Sequence, residues 1–334
     1  MNDVFATPSS APFRIDARDV HPEHVACPVC GRDEPRAYRA DMYSISGVRF
    51  PLVRCPCGLV YVSPRPDGRT LGRMYDDPDY YTEGYNLGVE TENYFTRRTE
   101  LVAQYEATAR ELARAVGKAG DLLELGSAGG FFLEGARRAG FRVRGIELSP
   151  SATEYARREL GLEIHHGDLM EAPWPTASFD VAYADNVLEH TTDPVAVVRK
   201  LGLLLRAGGL LVVIVPSYVN SPWFRALLAA QRGVPRRFLG RELVRILKMD
   251  AESDSGHPYH ILEFDRTTLC DVIRRAGLEI ESVEGSVPLP AHLFKARHAD
   301  LRTHCLRAVF STLDFGMRHR LLPPARITLR ARKP

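Results

Sequence analysis

The middle of the chain alternates short apolar runs with longer segments in which apolar residues recur every three or four positions. Short apolar runs bounded by glycine or polar residues are typical of buried strands, and the longer period is that of helices. Strands are predicted at 122–125, Arg142–Leu148, Leu162–Gly167, Phe179–Ala184 and Leu210–Val215. Because helical segments separate these strands, the pattern predicts an α/β fold, a doubly wound sheet with helices on both faces.

Helix signals separate the predicted strands. Ser149 and Pro150 fit the N-cap and first positions of one helix, and Asp193-Pro194 begins another that runs to about Leu205. Further helices are predicted at Asn93–Val116, Gly130–Ala139 and Thr267–Ala276.

The first predicted strand ends in a glycine-rich turn, Gly126–Gly130, that leads into a helix. Glycine has no Cβ, so such a turn lets the backbone approach a ligand closely. Phe131 is too bulky for the last small position of the dinucleotide-binding spacing G-x-G-x-x-G. Counted from Glu124, the segment instead reads E-x-G-x-G-x-G, with Ala128 in the middle glycine position.

Acidic residues follow the next three strands, at Glu147, Asp168 and Asp185. In a parallel sheet these ends lie along one edge, which is where ligands bind. A carboxylate at the end of the second strand can accept hydrogen bonds from two ribose hydroxyls, which makes Glu147 a candidate cofactor residue. The pattern therefore predicts a nucleotide-binding crevice at the carboxyl edge.

A series of short motifs resembles the class I S-adenosylmethionine (SAM)-dependent methyltransferases. The motifs, in family order and spacing, are Glu124–Gly130, Gly145–Glu147, Gly167–Leu169, Phe179–Val181, Val187–His190 and Leu205–Gly209. The resemblance covers most of residues 27–285 and resumes at a final strand, Arg326–Lys333. It implies a Rossmann-like sheet of seven strands in the order 3-2-1-4-5-7-6, with the seventh strand antiparallel.

The same resemblance implies that SAM is the cofactor. Asp168 would reach the adenine amino group, and Leu169 would pack on the base. The implied cofactor residues are Glu124, Gly126, Ser127, Ala128, Gly130, Glu147, Leu148, Asp168, Leu169 and Asp185. Because SAM carries an activated methyl group, the protein has mainly to align the acceptor and remove its proton.

Four cysteines precede residue 58 as two close pairs. They are Cys27 with Cys30, and Cys55 with Cys57. A glycine follows each pair and permits the left-handed turn that aims backbone N–H groups at a thiolate. Such pairs predict a structural, tetrahedral Zn²⁺ site, with disulfides as the alternative in an oxidising compartment. The second pair is one residue shorter than usual, and His21 or His24 could replace one cysteine.

The N-terminal segment is similar to that of a methyltransferase subgroup with a zinc-binding domain, found among sugar- and natural-product-modifying enzymes. The paired cysteines and Gly58–Pro66 carry this resemblance. Strands predicted at Phe50–Cys55 and Leu59–Ser63 would form a ribbon around the metal. The expected divisions are a zinc ribbon at 1–66, a helical linker at 67–118, and a SAM-binding domain at 119–334 with helical lid insertions at 217–255 and 287–324.

His190, His257 and His260 are candidate general bases, because histidine titrates near neutral pH. The family commonly has a histidine at the place of His260, so we expect His260 to accept the acceptor's proton. His190 follows Glu189, and we expect the backbone at a helix start to hold it. His257 lies in the same segment as His260 and is the remaining candidate.

A metal-dependent route is the weaker alternative. Some ubiquinone-pathway and small-RNA O-methyltransferases hold Mg²⁺ with E-x-x-E-H after the fourth strand. This chain has Asn186 in place of the first carboxylate. Mg²⁺ prefers charged oxygen ligands, so the sequence disfavours this route.

Composition adds a few constraints. The net charge is +2 and 45% of the residues are hydrophobic, as in an ordinary globular protein. No apolar run approaches the roughly 20 residues that cross a bilayer, and the N-terminus lacks a signal-peptide core, so we expect a cytoplasmic location. Basic residues concentrate at 225–248 and 295–334, which suits a solvated surface or an anionic partner.

These features predict a SAM-dependent methyltransferase that modifies oxygen or carbon of a small acceptor, such as an anionic nucleotide-linked sugar or a natural product. RNA methylation is a less favoured alternative, because base-stacking aromatic patches and proline-rich catalytic motifs are missing. A third reading is a non-catalytic SAM- or zinc-binding partner, against which the acids at 124, 147 and 168 argue. The sequence does not indicate an oligomeric state.

Overall fold

The structure is a computed structural model that describes the chain in separate stretches. The described stretches are 15–75, 94–217, 219–220, 260–287 and 301–334. Most of the predicted insertion 217–255 and the first part of the insertion 287–324 lie outside them. Within these stretches, no helix combines the length and apolar character needed to cross a membrane.

The N-terminal part is built from short strands. Its elements are β1 (Pro22–Glu23), β2 (Arg36–Ile45), β3 (Val48–Arg54), β4 (Val60–Val62), β5 (Arg65–Pro66) and α1 (Gly68–Met74). β2, β3 and β4 pair antiparallel, and Phe50 and Leu52 of β3 are completely buried. The two predicted strands are confirmed as β3 and β4. β2 was not predicted, because arginine and alanine interrupt its alternation of apolar and polar residues. Its strand conformation is stabilised by pairing with β3 rather than by its own sequence pattern.

The rest of the chain alternates helices with strands. Its elements are α2 (Arg98–Val116), β6 (Asp121–Leu125), α3 (Phe131–Arg138), β7 (Arg142–Glu147), α4 (Pro150–Leu160), β8 (Ile164–His166), β9 (Phe179–Asp185), α5 (Pro194–Leu204), β10 (Leu205–Pro216), β11 (Leu262–Glu263), α6 (Arg266–Arg275), β12 (Glu279–Ser286), α7 (Leu301–Arg318) and β13 (Arg326–Arg332). The predicted strands and helices occur at the expected places, with ends that differ by a few residues. As predicted, the Ser149 and Asp193 side chains cap α4 and α5.

The large sheet has the topology that the family resemblance implies. Its spatial order is β12-β13-β10-β9-β6-β7-β8, which reads 3-2-1-4-5-7-6 when its strands are numbered along the chain. β6 pairs parallel with β7 and β9, and β10 pairs parallel with β9. β13 runs antiparallel to both β10 and β12. The carboxyl ends of the parallel strands therefore share one edge.

Both faces of this sheet are covered. Side chains along β10 alternate between two cores, with Leu211, Val213 and Val215 in one and Leu210, Val212 and Ile214 in the other. The first core also contains residues of α5, α6 and the N-terminal sheet. The second contains residues of α2, α3 and α4. The prediction of helices on both faces is confirmed, and the N-terminal sheet adds to one of them.

A later strand completes the N-terminal sheet. β11 pairs antiparallel with β4, with Leu262 opposite Tyr61. The Asn220 side chain donates to the Gly58 carbonyl at 3.1 Å and to the Glu263 carbonyl at 3.4 Å. The N-terminal sheet is thus hydrogen-bonded to chain segments that come about 160 to 200 residues later. The proposed domain boundary at 66 separates residues that share one sheet.

A charge network closes the amino ends of β6 and β9. Asp121 accepts two hydrogen bonds from Arg142, both at 2.8 Å, and one from Arg206 at 3.0 Å. Asp180 accepts from the Asp121 N–H and from Arg206, each at 2.8 Å. The Arg142 side chain lowers the pKa of Asp121 below its ordinary value, although burial opposes this effect. The network fixes the sheet at the end opposite the carboxyl edge.

Candidate functional site

The glycine turn after β6 has the backbone geometry that its sequence predicts. Gly126 and Gly130 have φ values of +71° and +81°. The N–H groups of Gly126 and Ser127 donate to the Ile146 carbonyl at 2.8 and 3.0 Å. A Cβ on Gly126 would lie 2.5 Å from Cγ2 of Val187. Glycine is therefore required at this position by its dihedral angle and by its neighbour.

Glu147 ends β7 and is only 3% exposed. Its Oε2 accepts from the Ala128 N–H at 2.7 Å, and its Oε1 accepts from the Ser149 N–H at 2.8 Å. Ala128 has a φ of +46°, which is uncommon for alanine, so this carboxylate helps to hold the turn. Each carboxylate oxygen can still accept from a further donor. Glu147 therefore joins the glycine turn to the start of α4.

Glu124 lies within β6 beneath the same turn and is 6% exposed. Burial raises the pKa of its carboxyl well above the ordinary value, and the charges of Asp185 and Glu147 raise it further. Among the described residues, neither its Oε2 nor the Ser127 hydroxyl has a hydrogen-bond partner. Because an orphaned buried polar atom is costly, these groups fit a site that a ligand or ordered water completes.

A cleft lies at the carboxyl edge of the sheet, directly above this turn. It contains about 760 Å³ of empty space, counting the part open to solvent. The predicted cofactor residues in its walls are Gly126, Ala128, Glu147, Leu148, Asp168, Leu169 and Asp185. The predicted residues Glu124, Ser127 and Gly130 do not line it. The walls also contain Tyr75, Thr191 and Val197, which lie between motifs and which no sequence pattern marks.

The segment after β8 forms one wall of the cleft. Asp168 caps a short 3-10 turn, Leu169–Glu171, and its Oδ1 accepts from the Met170 N–H at 2.7 Å. Asp168 is exposed, and its second oxygen is available to a donor in the cleft. Leu169 is 3% exposed, whereas Leu148, which also lines the cleft, is 44% exposed. This wall therefore offers one acceptor beside apolar side chains.

Asp185, at the end of β9, forms an ion pair with a residue two strands away in the same sheet. Its Oδ1 accepts from the guanidinium of Arg326 in β13, and the Tyr183 hydroxyl donates to its Oδ2 at 3.4 Å. Burial acts to lower the pKa of Arg326, but the charge and hydrogen bond of Asp185 act in the opposite direction, and the pKa is raised above its ordinary value. Sequence reasoning missed Arg326, because its partner is 141 residues away.

His190 and His260 lie side by side, with ring centroids 5.0 Å apart and planes at 80°. Glu189 Oε1 lies 4.0 Å from Nε2 of His190 and 3.9 Å from Nε2 of His260. Glu263 Oε1 lies 3.7 Å from Nδ1 of His260 and accepts from the Tyr43 hydroxyl at 2.6 Å. Both carboxylates are at most 1% exposed. The two histidines therefore share a buried acidic surrounding.

The histidines differ in their access to the cleft. His190 is part of the cleft wall and His260 is not. His190 is also the last residue of a 3-10 turn, Leu188–His190, rather than the start of α5. The segment with His260 is fixed because the Ile261 N–H donates to the Glu189 carbonyl at 2.9 Å. His257 lies outside the described residues.

The ligand atoms of Glu189, His190 and His260 lie within 4.8 Å of one another and could hold a cation. Two imidazoles and one carboxylate suit a transition metal better than Mg²⁺, which prefers oxygen ligands. Asn186, which replaces the first carboxylate of the E-x-x-E-H pattern, is exposed in the cleft wall. This donor set does not fit the Mg²⁺ pattern, as the sequence indicates.

The four N-terminal cysteines come together as one cluster. Their sulfur atoms all lie within 4.8 Å of one another, with Cys27 and Cys57 at 3.7 Å and Cys30 and Cys55 at 3.4 Å. A tetrahedral Zn²⁺ with bonds of about 2.3 Å places its sulfurs roughly 3.8 Å apart. These separations fit such a site and are far longer than a disulfide of about 2.05 Å.

Both turns beside the cysteines have the expected glycine geometry. Gly31 and Gly58 have φ values of +76° and +103°, and their N–H groups donate to the Cys27 and Cys55 carbonyls at 2.8 and 2.9 Å. The short C-x-C spacing is therefore no obstacle to the cluster. The alternative ligands His21 and His24 are not part of it, and His24 Nε2 instead lies 2.9 Å from Oδ1 of Asp33.

One comparison with known proteins finds a family model that matches the central part of the chain. Residues 123–213 match the family model described as a methyltransferase domain, and this segment contains the glycine turn, Glu147, the strands β7 to β9 and most of β6 and β10. This part of the chain is therefore similar to a methyltransferase domain.

The curated relatives point the same way. The chain is 28% identical over 199 residues to a protein of Mycolicibacterium smegmatis named as a probable SAM-dependent methyltransferase, over 59% of this chain and 64% of that protein. It is 27% identical over 195 residues to a ubiquinone biosynthesis O-methyltransferase of Xanthomonas euvesicatoria, over 56% of this chain and 72% of that one. The chain thus spans about two thirds of the length of these relatives.

A SAM-dependent methyltransferase from Archaeoglobus fulgidus is among the similar solved structures. It shares 15% identity and a TM-score of 0.45, over 72% of this chain and 99% of that chain. A second, from Mesorhizobium loti, shares 20% identity and a TM-score of 0.42, over 68% of this chain and 99% of that one.

Proposed function

We propose that this protein is a SAM-dependent methyltransferase that acts on a small-molecule acceptor. One observation carries the proposal: the cleft above the glycine turn combines a buried carboxylate, Glu147, with backbone that only glycine at 126 permits. Polar groups converge there at the carboxyl edge of a doubly wound sheet, which is where such folds bind nucleotide-containing ligands.

The cleft residues fit SAM. Glu147 would accept from the ribose hydroxyls, Asp168 from the adenine amino group, and Leu148 and Leu169 would flank the base. The orphaned carboxyl oxygen of Glu124 beneath the turn gives the site a further unsatisfied polar group. When bound, SAM supplies an electrophilic methyl group whose transfer is an in-line displacement.

The protein's own task is then to orient the acceptor and to take its proton. His190 stands in the cleft wall, and its Nε2 lies 4.0 Å from Oε1 of Glu189. We assign His190 and His260 a joint role, in which a cleft-facing imidazole receives the proton and the second ring and Glu189 stabilise the resulting charge. Sequence reasoning favoured His260 alone, but the position of His190 in the cleft wall supports a role for both rings.

The proposed acceptors include several classes of small molecule. An oxygen or carbon nucleophile on a nucleotide-linked sugar, a natural product or a phenol would suit a base of this kind, and one relative is named for O-methylation in ubiquinone biosynthesis. RNA and a non-catalytic role remain the alternatives. The four cysteines are proposed to hold one structural Zn²⁺, because four thiolates leave no open coordination position. Such thiols suit a reducing compartment such as the cytoplasm.

Titration calorimetry with SAM and with its demethylated product tests the proposal directly. We expect micromolar binding of both by the full chain, followed by transfer of labelled methyl groups to small-molecule acceptors but not to RNA. Binding of neither compound would overturn the assignment of the cleft. Methylation of RNA in preference to small molecules would keep the cleft and replace the acceptor.

A further inference from the structure

A second cavity lies where the N-terminal sheet meets the start of α6 and the end of α7. It contains about 1100 Å³ of empty space, counting the part open to solvent, and shares no lining residue with the cofactor cleft. Three arginines line it: Arg54 at the end of β3, Arg266 at the start of α6, and Arg320 just after α7. Chain segments far apart in sequence thus bring three positive charges to one cavity.

These positive charges have no protein counter-ion among the described residues. No ion pair or hydrogen bond joins the Arg54, Arg266 or Arg320 guanidinium to a described acceptor. Asp265 is the acidic residue of the cavity wall, but its Oδ1 accepts from the Thr268 N–H at 2.8 Å and its Oδ2 from the Asn220 side chain at 3.2 Å. Its carboxylate is therefore already used to cap α6 and hold a loop.

Positive charges in and beside this cavity act on one another. Burial lowers the pKa of Arg266, and the positive charge of Arg320 lowers it further. Arg36 lies directly opposite Arg54 in the β2–β3 ladder, where like charges destabilise a strand pair. Arg36 and Arg54 both line an adjoining cavity, so the positive surface continues past the first cavity.

The remaining wall of the cavity is apolar. The turn after α7 brings Leu321, which is 72% exposed, to the same wall as Arg320. Met317, Leu322 and the segment 323–324 extend this apolar wall. The described lining contains no aromatic side chain on which a nucleic-acid base could stack. Three guanidiniums beside an apolar wall match an anion that carries an apolar body.

We propose that this cavity binds a phosphorylated small molecule, with its phosphate on Arg54, Arg266 and Arg320 and its apolar part along Leu321 and Leu322. Guanidinium groups suit this ligand because their planar fork donates two hydrogen bonds to a phosphate. The site is separate from the cofactor cleft, and its existence does not depend on methyl transfer.

Calorimetry on the full chain tests the site with hexyl phosphate as the probe, and with inorganic phosphate and hexanol for comparison. We expect hexyl phosphate to bind more tightly than inorganic phosphate and hexanol not to bind. The double variant Arg266→Gln/Arg320→Gln should weaken hexyl phosphate by about tenfold or more, since each removed group is a charged donor. Leu321→Ser should weaken hexyl phosphate but leave inorganic phosphate unchanged.

Arg275→Gln is the matched control. It removes one positive charge from the same helix, α6, but Arg275 does not line the cavity. This variant should bind hexyl phosphate like the unmodified chain. SAM binding and thermal unfolding, measured in every variant, report whether the protein is folded and whether the cofactor cleft is intact.

Three results would overturn the proposal. Unchanged affinity in the folded double variant would remove the arginines from the site. Equal binding of inorganic phosphate and hexyl phosphate would remove the apolar part of the ligand. A single-stranded RNA that displaces hexyl phosphate and binds more tightly through the same arginines would make this an RNA surface. If the unmodified chain did not bind SAM, these three comparisons could still be interpreted, because they measure ligand binding at the second cavity and thermal unfolding reports whether each variant is folded.

Discussion

Replacing Glu147 should reduce both the stability of the protein and its affinity for the cofactor, because the carboxylate accepts backbone hydrogen bonds and also lines the cleft. The two oxygens accept from the Ala128 and Ser149 N–H groups at 2.7 and 2.8 Å, within a side chain that is 3% exposed. Glu147→Ala removes both acceptors, whereas Glu147→Gln keeps one oxygen and turns an amide group toward the other N–H.

The size of the stability loss follows from these contacts. A hydrogen bond to a charged group contributes roughly 1.5–3 kcal/mol, so losing two costs about 3–6 kcal/mol in Glu147→Ala. With an unfolding entropy of about 2.1 cal/mol/K per residue, a chain of 334 residues that unfolds as one unit would lose about 4–9 °C in melting temperature. Glu147→Gln should lose about half of this.

The loss of cofactor affinity can be measured independently of the loss of stability. If the carboxylate also accepts from two ribose hydroxyls, Glu147→Ala should weaken SAM by roughly a hundredfold or more at a temperature where it is fully folded. Calorimetry with SAM and scanning calorimetry without it measure the two effects. Leu148→Ala, next in sequence and 44% exposed, is the control and should keep the melting temperature. An unchanged melting temperature in Glu147→Ala would refute the hydrogen-bonding role, and an unchanged SAM affinity would refute the cofactor role.

Three further results are expected. The unmodified protein should contain one zinc ion per chain, and Cys57→Ser should lower this content while leaving SAM affinity near normal. Elemental analysis that finds no zinc in the unmodified protein, purified without chelator, would contradict the metal site. His190→Ala and His260→Ala should each reduce turnover by about 10²–10⁴ with SAM binding kept, and full turnover in both variants at every pH would exclude these two histidines as the base. The pKa of Asp121 is lowered by Arg142, so its stabilising effect should be present at neutral pH and lost as the pH falls below about 4. Urea unfolding across this range should show a smaller acid loss in Asp121→Asn than in the unmodified protein.

Local patterns predicted the strands from β6 to β10 well, because these strands contain short apolar runs and the helices α4 and α5 each begin with a side-chain cap. The glycine turn and the acids at strand ends could be located for the same reason. The order of the strands came from the family resemblance, since periodicity alone does not say which strands are neighbours.

Long-range pairs could not be predicted. Arg326 and Asp185 are 141 residues apart, and β11 consists of just two residues that pair with β4. Neither has a local signal, because an ion pair or a short strand gains its stability from a partner that only the fold supplies. The sequence analysis preferred His260 to His190 as the base and did not predict that the two rings lie side by side. The reason is the same, because the two residues are far apart in the sequence and are brought together only by the fold.

The pairing of β11 with β4 has a consequence for how metal and chemistry are coupled. β4 follows the second cysteine pair, and β11 follows His260 within two residues. If a metal orders the cysteine turns, it also orders the strand against which the segment carrying His260 is aligned. Removing the metal should then impair turnover before it impairs SAM binding. By thermodynamic reciprocity, an acceptor that binds against His190, whose ring lies beside that of His260, should make the metal harder to remove with a chelator.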